Sequence, residues 1–170
     1  MSKKKMLPLK YTNYGLGFLE VPNEVSLLIN ISNCPCNCDG CHSPQLQENI
    51  GELLTIESLE AILSKFSDTP ITCICFMGEG GNIPAIGKLI EHCHNKGFLT
   101  CLYTGSTNTA EIISSSSKTL NFIKIGRYYK EHGPLNKKGT NQRFYEIQYH
   151  RNNSIEWYEL NDLTYKFQQK

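Results

Sequence analysis

The sequence has almost no net charge and no long apolar run. With 17 Lys and Arg against 16 Asp and Glu the formal net charge is +1 over 170 residues, so nothing in the overall charge draws the chain to nucleic acid or to a membrane surface. No window approaches the length of a membrane span, and Met1-Ser2-Lys3-Lys4-Lys5-Met6-Leu7-Pro8 lacks the apolar core of a secretory signal. A cytoplasmic location is therefore expected, where thiols stay reduced and clustered cysteines mean metal or catalysis more often than disulfides. No solenoid-type internal repeat is visible, which removes the repeat architectures. Tryptophan is scarce as well, with Trp157 the single copy. Cysteine is not scarce: there are 8, and four of them fall between Cys34 and Cys41.

That cluster, Asn33-Cys34-Pro35-Cys36-Asn37-Cys38-Asp39-Gly40-Cys41-His42, directly follows an apolar, strand-like run. Cys34, Cys38 and Cys41 stand at C-x3-C-x2-C, close enough for one short loop to wrap a compact inorganic cluster, and Cys36 is left over. Iron–sulfur clusters are commonly held by four cysteines, so three thiolates on a 4Fe-4S cube leave one iron open to a ligand from outside the protein. An open iron is a reactive site. A tetrahedral zinc knot using Cys34, Cys36, Cys38 and Cys41 is a second reading, although structural zinc sites usually split their ligands into two distant pairs and no second pair is present. A disulfide framework is the third.

Length and composition fit one domain over residues 1–170, with a core large enough to stand without staples. Apolar residues make up 39% and charged ones 19%, as in ordinary globular proteins. Residues 1–16 read as a flexible start and 150–170 as a C-terminal tail whose aromatics (Trp157, Tyr158, Tyr165, Phe167) must pack on the domain or on a partner. Between them, Val25 to Ile31 reads as a buried strand with the cysteine loop at its C-terminal end. Thr55 is placed to cap a helix that carries Ile56, Leu59, Ile62, Leu63 and Phe66 on one face, with Leu54 and Leu59 as a staple. Strands follow at Ile71–Met77, Phe98–Tyr103 and Leu120–Ile125, separated by a helix over Ile83–Lys96 and a shorter one over Thr109–Ser114. Phe144–Tyr149 reads as one more strand. This βα rhythm predicts an α/β fold, an open partial (β/α) barrel with a mostly parallel sheet, since too few units are present to close eight strands.

Away from the loop, Cys73 and Cys75 alternate along a strand and read as core residues. His92 and His94 lie on different faces of their helix and cannot share one metal. The segment from Lys118 to Arg151 holds Lys118, Lys124, Arg127, Lys130, Lys137, Lys138, Arg143 and Arg151 against only Glu131 and Glu146. Such a run is first a solvated face, and second a docking surface for an acidic partner or an anionic cofactor group. Within it, the glycine- and proline-punctuated stretch 126–141 is too long for a passive turn and reads as a functional loop.

Taken together, Asn33 to Pro44, the strand end Leu102-Tyr103-Thr104-Gly105, and Gly126-Arg127-Tyr128 with Asn141-Gln142-Arg143 resemble the activases of anaerobic (class III) ribonucleotide reductase, in the radical S-adenosylmethionine (SAM) superfamily. The resemblance runs from about Gly17 to Tyr149. It implies that Cys34, Cys38 and Cys41 hold a 4Fe-4S cluster and are catalytic, that the open iron chelates SAM, and that reductive cleavage of SAM starts a glycyl radical on the large reductase subunit. It also implies that Gly40, Met77, Gly78, Glu79, Gly80, Tyr103, Thr104 and Gly105 contact the cofactor, with Arg143, Lys124 and Arg127 candidates for its carboxylate. The implied partners are that reductase, as protein substrate, and a one-electron donor such as flavodoxin or ferredoxin, with no nucleic acid or membrane partner and homodimerisation left open. Another glycyl radical enzyme, or a small molecule, is the alternative substrate, and a non-catalytic zinc module is the reading from another class. Two positions depart from the family pattern. Glycine precedes Glu79 once and follows it twice, and Gly40 stands where many members have an aromatic.

Overall fold

The computed structural model describes residues 6–168. In chain order the elements are β1 (Lys10–Gly17), β2 (Ser26–Ile31), β3 (Glu52–Leu53), α1 (Ile56–Ser64), β4 (Cys73–Met77), α2 (Ile83–Asn95), β5 (Leu99–Tyr103), α3 (Thr109–Ser115), β6 (Phe122–Ile125), β7 (Arg143–Asn152) and β8 (Ile155–Asp162), with short 3₁₀ turns at Pro44–Gln47 and Thr164–Phe167. The strands make one eight-stranded sheet in the order β3-β1-β2-β4-β5-β6-β7-β8.

The expectation of a mostly parallel, open (β/α) barrel is corrected by this order. Parallel pairing is confined to the centre, β2 with β4, β4 with β5 and β5 with β6. The flanks are antiparallel: β1 with β2 and β3 on one side, β6 with β7 and β7 with β8 on the other. The sheet is therefore mixed, and the three helices are short. The physical reason lies at the two ends of the chain. Residues 10–16, read as flexible, lie within a strand that returns antiparallel on β2 through a tight connection at residues 18–25, while residues 1–5 lie outside the described residues. The expected tail contains a hairpin, turned at Asn153 in the left-handed region (φ 54), a conformation asparagine tolerates. Trp157 on β8 stacks on His150 of β7 with ring centroids 5.3 Å apart.

The central βα units form where their local chemistry directs. Thr55 and Ser58 close a reciprocal capping box at the start of α1: Ser58 N donates to Thr55 Oγ1 (3.2 Å) and Thr55 N donates to Ser58 Oγ (2.8 Å). Asn82 caps α2 by accepting from Ala85 N at 3.1 Å. The helices cover one face only. Leu27, Ile29 and Ile31 of β2, Ile74 and Phe76 of β4, Leu102 of β5 and Ile123 of β6 form one core with Leu59, Ile62, Ile86, Ile90 and Ile112 of the helices. The alternate residues, Cys73, Cys75, Cys101, Phe122 and Phe144, form a smaller core on the opposite face with Val21, Leu135 and Leu163. Loops, not helices, close that second face, and toward the C-terminal ends of the parallel strands it opens. Among the described residues no helix is long and apolar enough to cross a membrane.

Candidate metal centre

The cysteine loop leaves the C-terminal end of β2 and is bent by three left-handed residues, Asn33 (φ 60), Asn37 (φ 44) and Gly40 (φ 67). Its base is pinned by backbone bonds, Asn33 N to Glu48 O (2.8 Å) and Cys34 N to Leu46 O (2.9 Å). The Asn33 side chain donates to Gly80 O at 3.0 Å. Gly80 is itself left-handed, and an added Cβ would meet Leu9 Cδ2 at 2.7 Å, so the β4 end and the cysteine loop are locked together through a position that only glycine fills. On the far side, the Arg127 guanidinium donates to the Cys36 carbonyl.

These elements enclose a cavity of about 630 Å³, within the size range of small-molecule and cofactor sites. Cys34, Cys36, Cys38 and Cys41 line it from the loop, with Gly40, Met77, Gly78 and Glu79 beyond β4, Tyr103, Thr104 and Gly105 beyond β5, and Lys124 on β6. The structure thus brings all the sequence-predicted cofactor positions to one cavity except Gly80, which holds the loop from behind. Of the three candidate cations, Lys124 and Arg127 line the cavity. Arg143 does not, since it donates to Thr140 O (2.5 Å) and Gln142 O (2.8 Å) and faces Asp162 at 3.9 Å. Asn30, Tyr128, Leu135 and Phe167 also line the cavity and were missed. Tyr128 and Leu135 belong to the loop 126–141, whose composition had flagged it. Phe167 comes from the far end of the chain, where no local pattern marks it.

The cavity's electrostatics are set by one buried lysine and one buried acid. Burial pulls the Lys124 ammonium down to about 8, while the nearby Cys38, Cys36, Cys34 and Cys41 work in the opposite direction. Lys124 therefore faces all four thiols, and the Arg127 guanidinium lies beside Cys36 and Cys38. Cys34 is lowered to about 6, first by the hydrogen bond from the Cys36 thiol, with burial opposing and Lys124 assisting. The same hydrogen bond, with burial, pushes Cys36 up. Glu79 is 7% exposed, and burial raises its carboxyl, which the Thr104 hydroxyl partly offsets by donating at 2.5 Å. Tyr103 OH donates to Glu20 O at 2.6 Å, fixing the ring in the cavity wall.

Four thiols on one loop make a donor set for an iron–sulfur cluster or for zinc. All four cysteines are free thiols and partly exposed, and Ser43 N donates to Cys41 Sγ at 3.4 Å, the kind of amide contact that steadies a ligating sulfur. A single zinc draws its thiolates to about 2.3 Å from one point. A cube instead bonds each thiolate to a different iron. A protein-family model described as a 4Fe-4S single cluster domain matches residues 23–145. The chain belongs to this family. It is an iron–sulfur protein with a 4Fe-4S cluster domain, and the matched segment of this single-cluster domain runs from just before β2 into the start of β7, taking in every cavity wall except the two chain ends. Comparison with curated proteins and with solved structures returned no match.

Proposed function

We propose that this single-cluster domain is a radical SAM activase, with Cys34, Cys38 and Cys41 on three irons of the cluster, the fourth iron reserved for SAM, and a glycine of anaerobic ribonucleotide reductase as the hydrogen donor. One observation supports this reading above the others. The C-x3-C-x2-C loop opens on a cavity large enough for a nucleoside-sized ligand beside the cube, walled by the strand ends Met77 to Glu79 and Tyr103 to Gly105. When bound, the cluster and SAM supply a one-electron reductive cleavage: one electron and SAM enter, methionine and 5′-deoxyadenosine leave, and a hydrogen atom is withdrawn from the client glycine.

The chain's own residues position and exclude. Lys124 places a positive charge beside the thiolates, which favours their ionised form and an added electron. Glu79, held by Thr104, presents a buried acid and the adjoining backbone to an ammonium group. Tyr103 and Tyr128 give the cavity apolar walls against water. The reductase client and the electron donor belong to this proposal, as does a cytoplasmic site of action.

Anaerobic reconstitution tests it directly. The expected result is about four irons per chain, 5′-deoxyadenosine on addition of dithionite and SAM, and a glycyl radical signal by electron spin resonance when the reductase is added. Cys38→Ala should lose the iron and the product together. One zinc per chain with no SAM cleavage would replace this reading with a non-catalytic zinc module.

A further inference from the structure

Cys36 is the thiol that the C-x3-C-x2-C spacing leaves over, yet the structure builds a seat for it. A Cβ placed on Gly105 would stand 2.2 Å from Cys36 Sγ and 3.2 Å from Cys36 Cβ, so any larger residue would push the Cys36 thiol out of this position. Gly105 is not among the glycines with positive φ. Backbone conformation therefore does not require glycine there, and the space for Cys36 is what the missing Cβ provides. The Cys36 carbonyl is fixed by Arg127, and its thiol lines the same cavity as the other three. A free, soft sulfur held among three cluster ligands is a ready ligand for iron.

We propose that Cys36 is the fourth protein ligand of the cluster in the absence of SAM, its thiolate occupying the iron that SAM takes later. Ligation itself rests only on the 4Fe-4S cluster, while the exchange step rests on the SAM reading above. On binding iron the Cys36 thiol releases its proton to solvent. When the amine and carboxylate of SAM arrive, the iron–sulfur bond to Cys36 breaks and the thiolate takes a proton back, with no electron transferred. The seat at Gly105 makes the two events compete, because Tyr103 to Gly105 is the segment expected to flank SAM. The cluster would then be fully ligated and resistant to oxidants at rest, and open only when its co-substrate is present.

The test is oxidation of the reconstituted holoprotein without SAM, following retained iron and the three-iron spin resonance signal after ferricyanide. An iron lacking a thiolate is the first to leave. Cys36→Ala should form the three-iron signal about tenfold faster than the parent protein or more, the scale on which metal sites respond to loss of a supporting group. Gly105→Ala, which removes no thiol but fills the seat, should shift the rate in the same direction. Saturating SAM should bring parent and Cys36→Ala to equal rates. Equal rates without SAM would overturn the proposal, and so would a Cys36→Ala protein that assembles no cluster, since Cys36 would then be permanent. If the contrast persists in a protein that never yields 5′-deoxyadenosine, Cys36 ligation stands and the SAM reading falls.

Discussion

On β4, Ile74 and Phe76 point toward the helices and Cys73, Cys75 and Met77 point the other way. The same alternation continues onto β5 and β6, where Leu102 and Ile123 join the helix-covered core while Cys101, Tyr103, Phe122 and Lys124 face the cavity side. One face is a dry aliphatic layer closed by α1, α2 and α3. The other begins as a small core of thiols and aromatic rings, with Phe144 between Phe122 and Phe167 at centroid distances of 6.0 and 4.9 Å, and opens into a cavity lined by four more thiols. The difference teaches how a short chain separates two tasks. The period of a strand is two, so odd and even residues of the same few strands can be devoted to stability and to cofactor chemistry with little interference.

The largest effect that can break this division is a cavity cut into the aliphatic face. Phe76 is fully buried, and Phe76→Ala should cost about 3–5 kcal/mol, measured by anaerobic urea unfolding followed by circular dichroism. Cys101→Ala, equally buried on the opposite face of the neighbouring strand, should cost about 1 kcal/mol, because it deletes one sulfur from a small core. A Cys101→Ala cost that equals the Phe76→Ala cost would show that the thiol face contributes to stability as much as the aliphatic one.

That division was partly legible in the sequence. The apolar runs at 25–31, 71–77, 98–103 and 120–125 carry their own strand signal, and Thr55 marks the start of a helix through local hydrogen-bonding chemistry. The cysteine spacing identified a cluster loop before any neighbour was known. What could not be read was pairing between distant segments. Nothing local in Lys10–Gly17 says that it returns on β2, and in β8 the apolar residues fall on both faces, Ile155 and Trp157 exposed on one and Tyr158 and Leu160 half-buried on the other. Reading the first flank as a flexible start and the last as a packed tail left only the parallel centre, and a barrel followed from it. The same limit hid Phe167 and Asn30, which reach the cavity only through the sheet order. Arg143 lies outside the cavity for the opposite reason: its charge and position in a family-like motif were visible, but not the two carbonyls to which it donates.

A smaller effect sharpens the comparison at the cavity wall. Glu79 has its carboxyl raised by burial, with Glu111 adding in the same sense and the Thr104 hydroxyl opposing. Because the folded value lies above the unfolded one, the folded state favours the protonated acid. The resulting contribution to stability is fully present below the ordinary carboxylate range and is lost as pH rises through the raised value. Glu79→Gln removes this loss while keeping an acceptor for Thr104. The variant should therefore match the parent near pH 4 and melt at a higher temperature than the parent at pH 8. A parent protein whose melting temperature relative to Glu79→Gln does not change with pH would mean that the acid is solvated and that this wall of the cavity is as wet as the surface.

The smallest effect contrasts two lysines separated by six positions. Lys124 is held under the thiols with its ammonium donating to Gly126 O at 2.9 Å. Lys118, on the turn after α3, is about half exposed (48%) and pairs with Glu156 of β8, which is also shared with Arg151. The Lys118 pair joins a loop to the sheet edge across water, where attraction is screened and two flexible side chains must be ordered to make it. Lys118→Ala should leave the melting temperature, the iron content and the cluster's reduction behaviour within measurement scatter at 0.15 M salt. Lowering the salt should reveal a slight destabilisation, since Arg151 remains to meet Glu156 only in part. A loss of iron in Lys118→Ala would mean that the outer hairpin is coupled to the metal centre across the sheet, and the separation of the two faces would not extend to its edge.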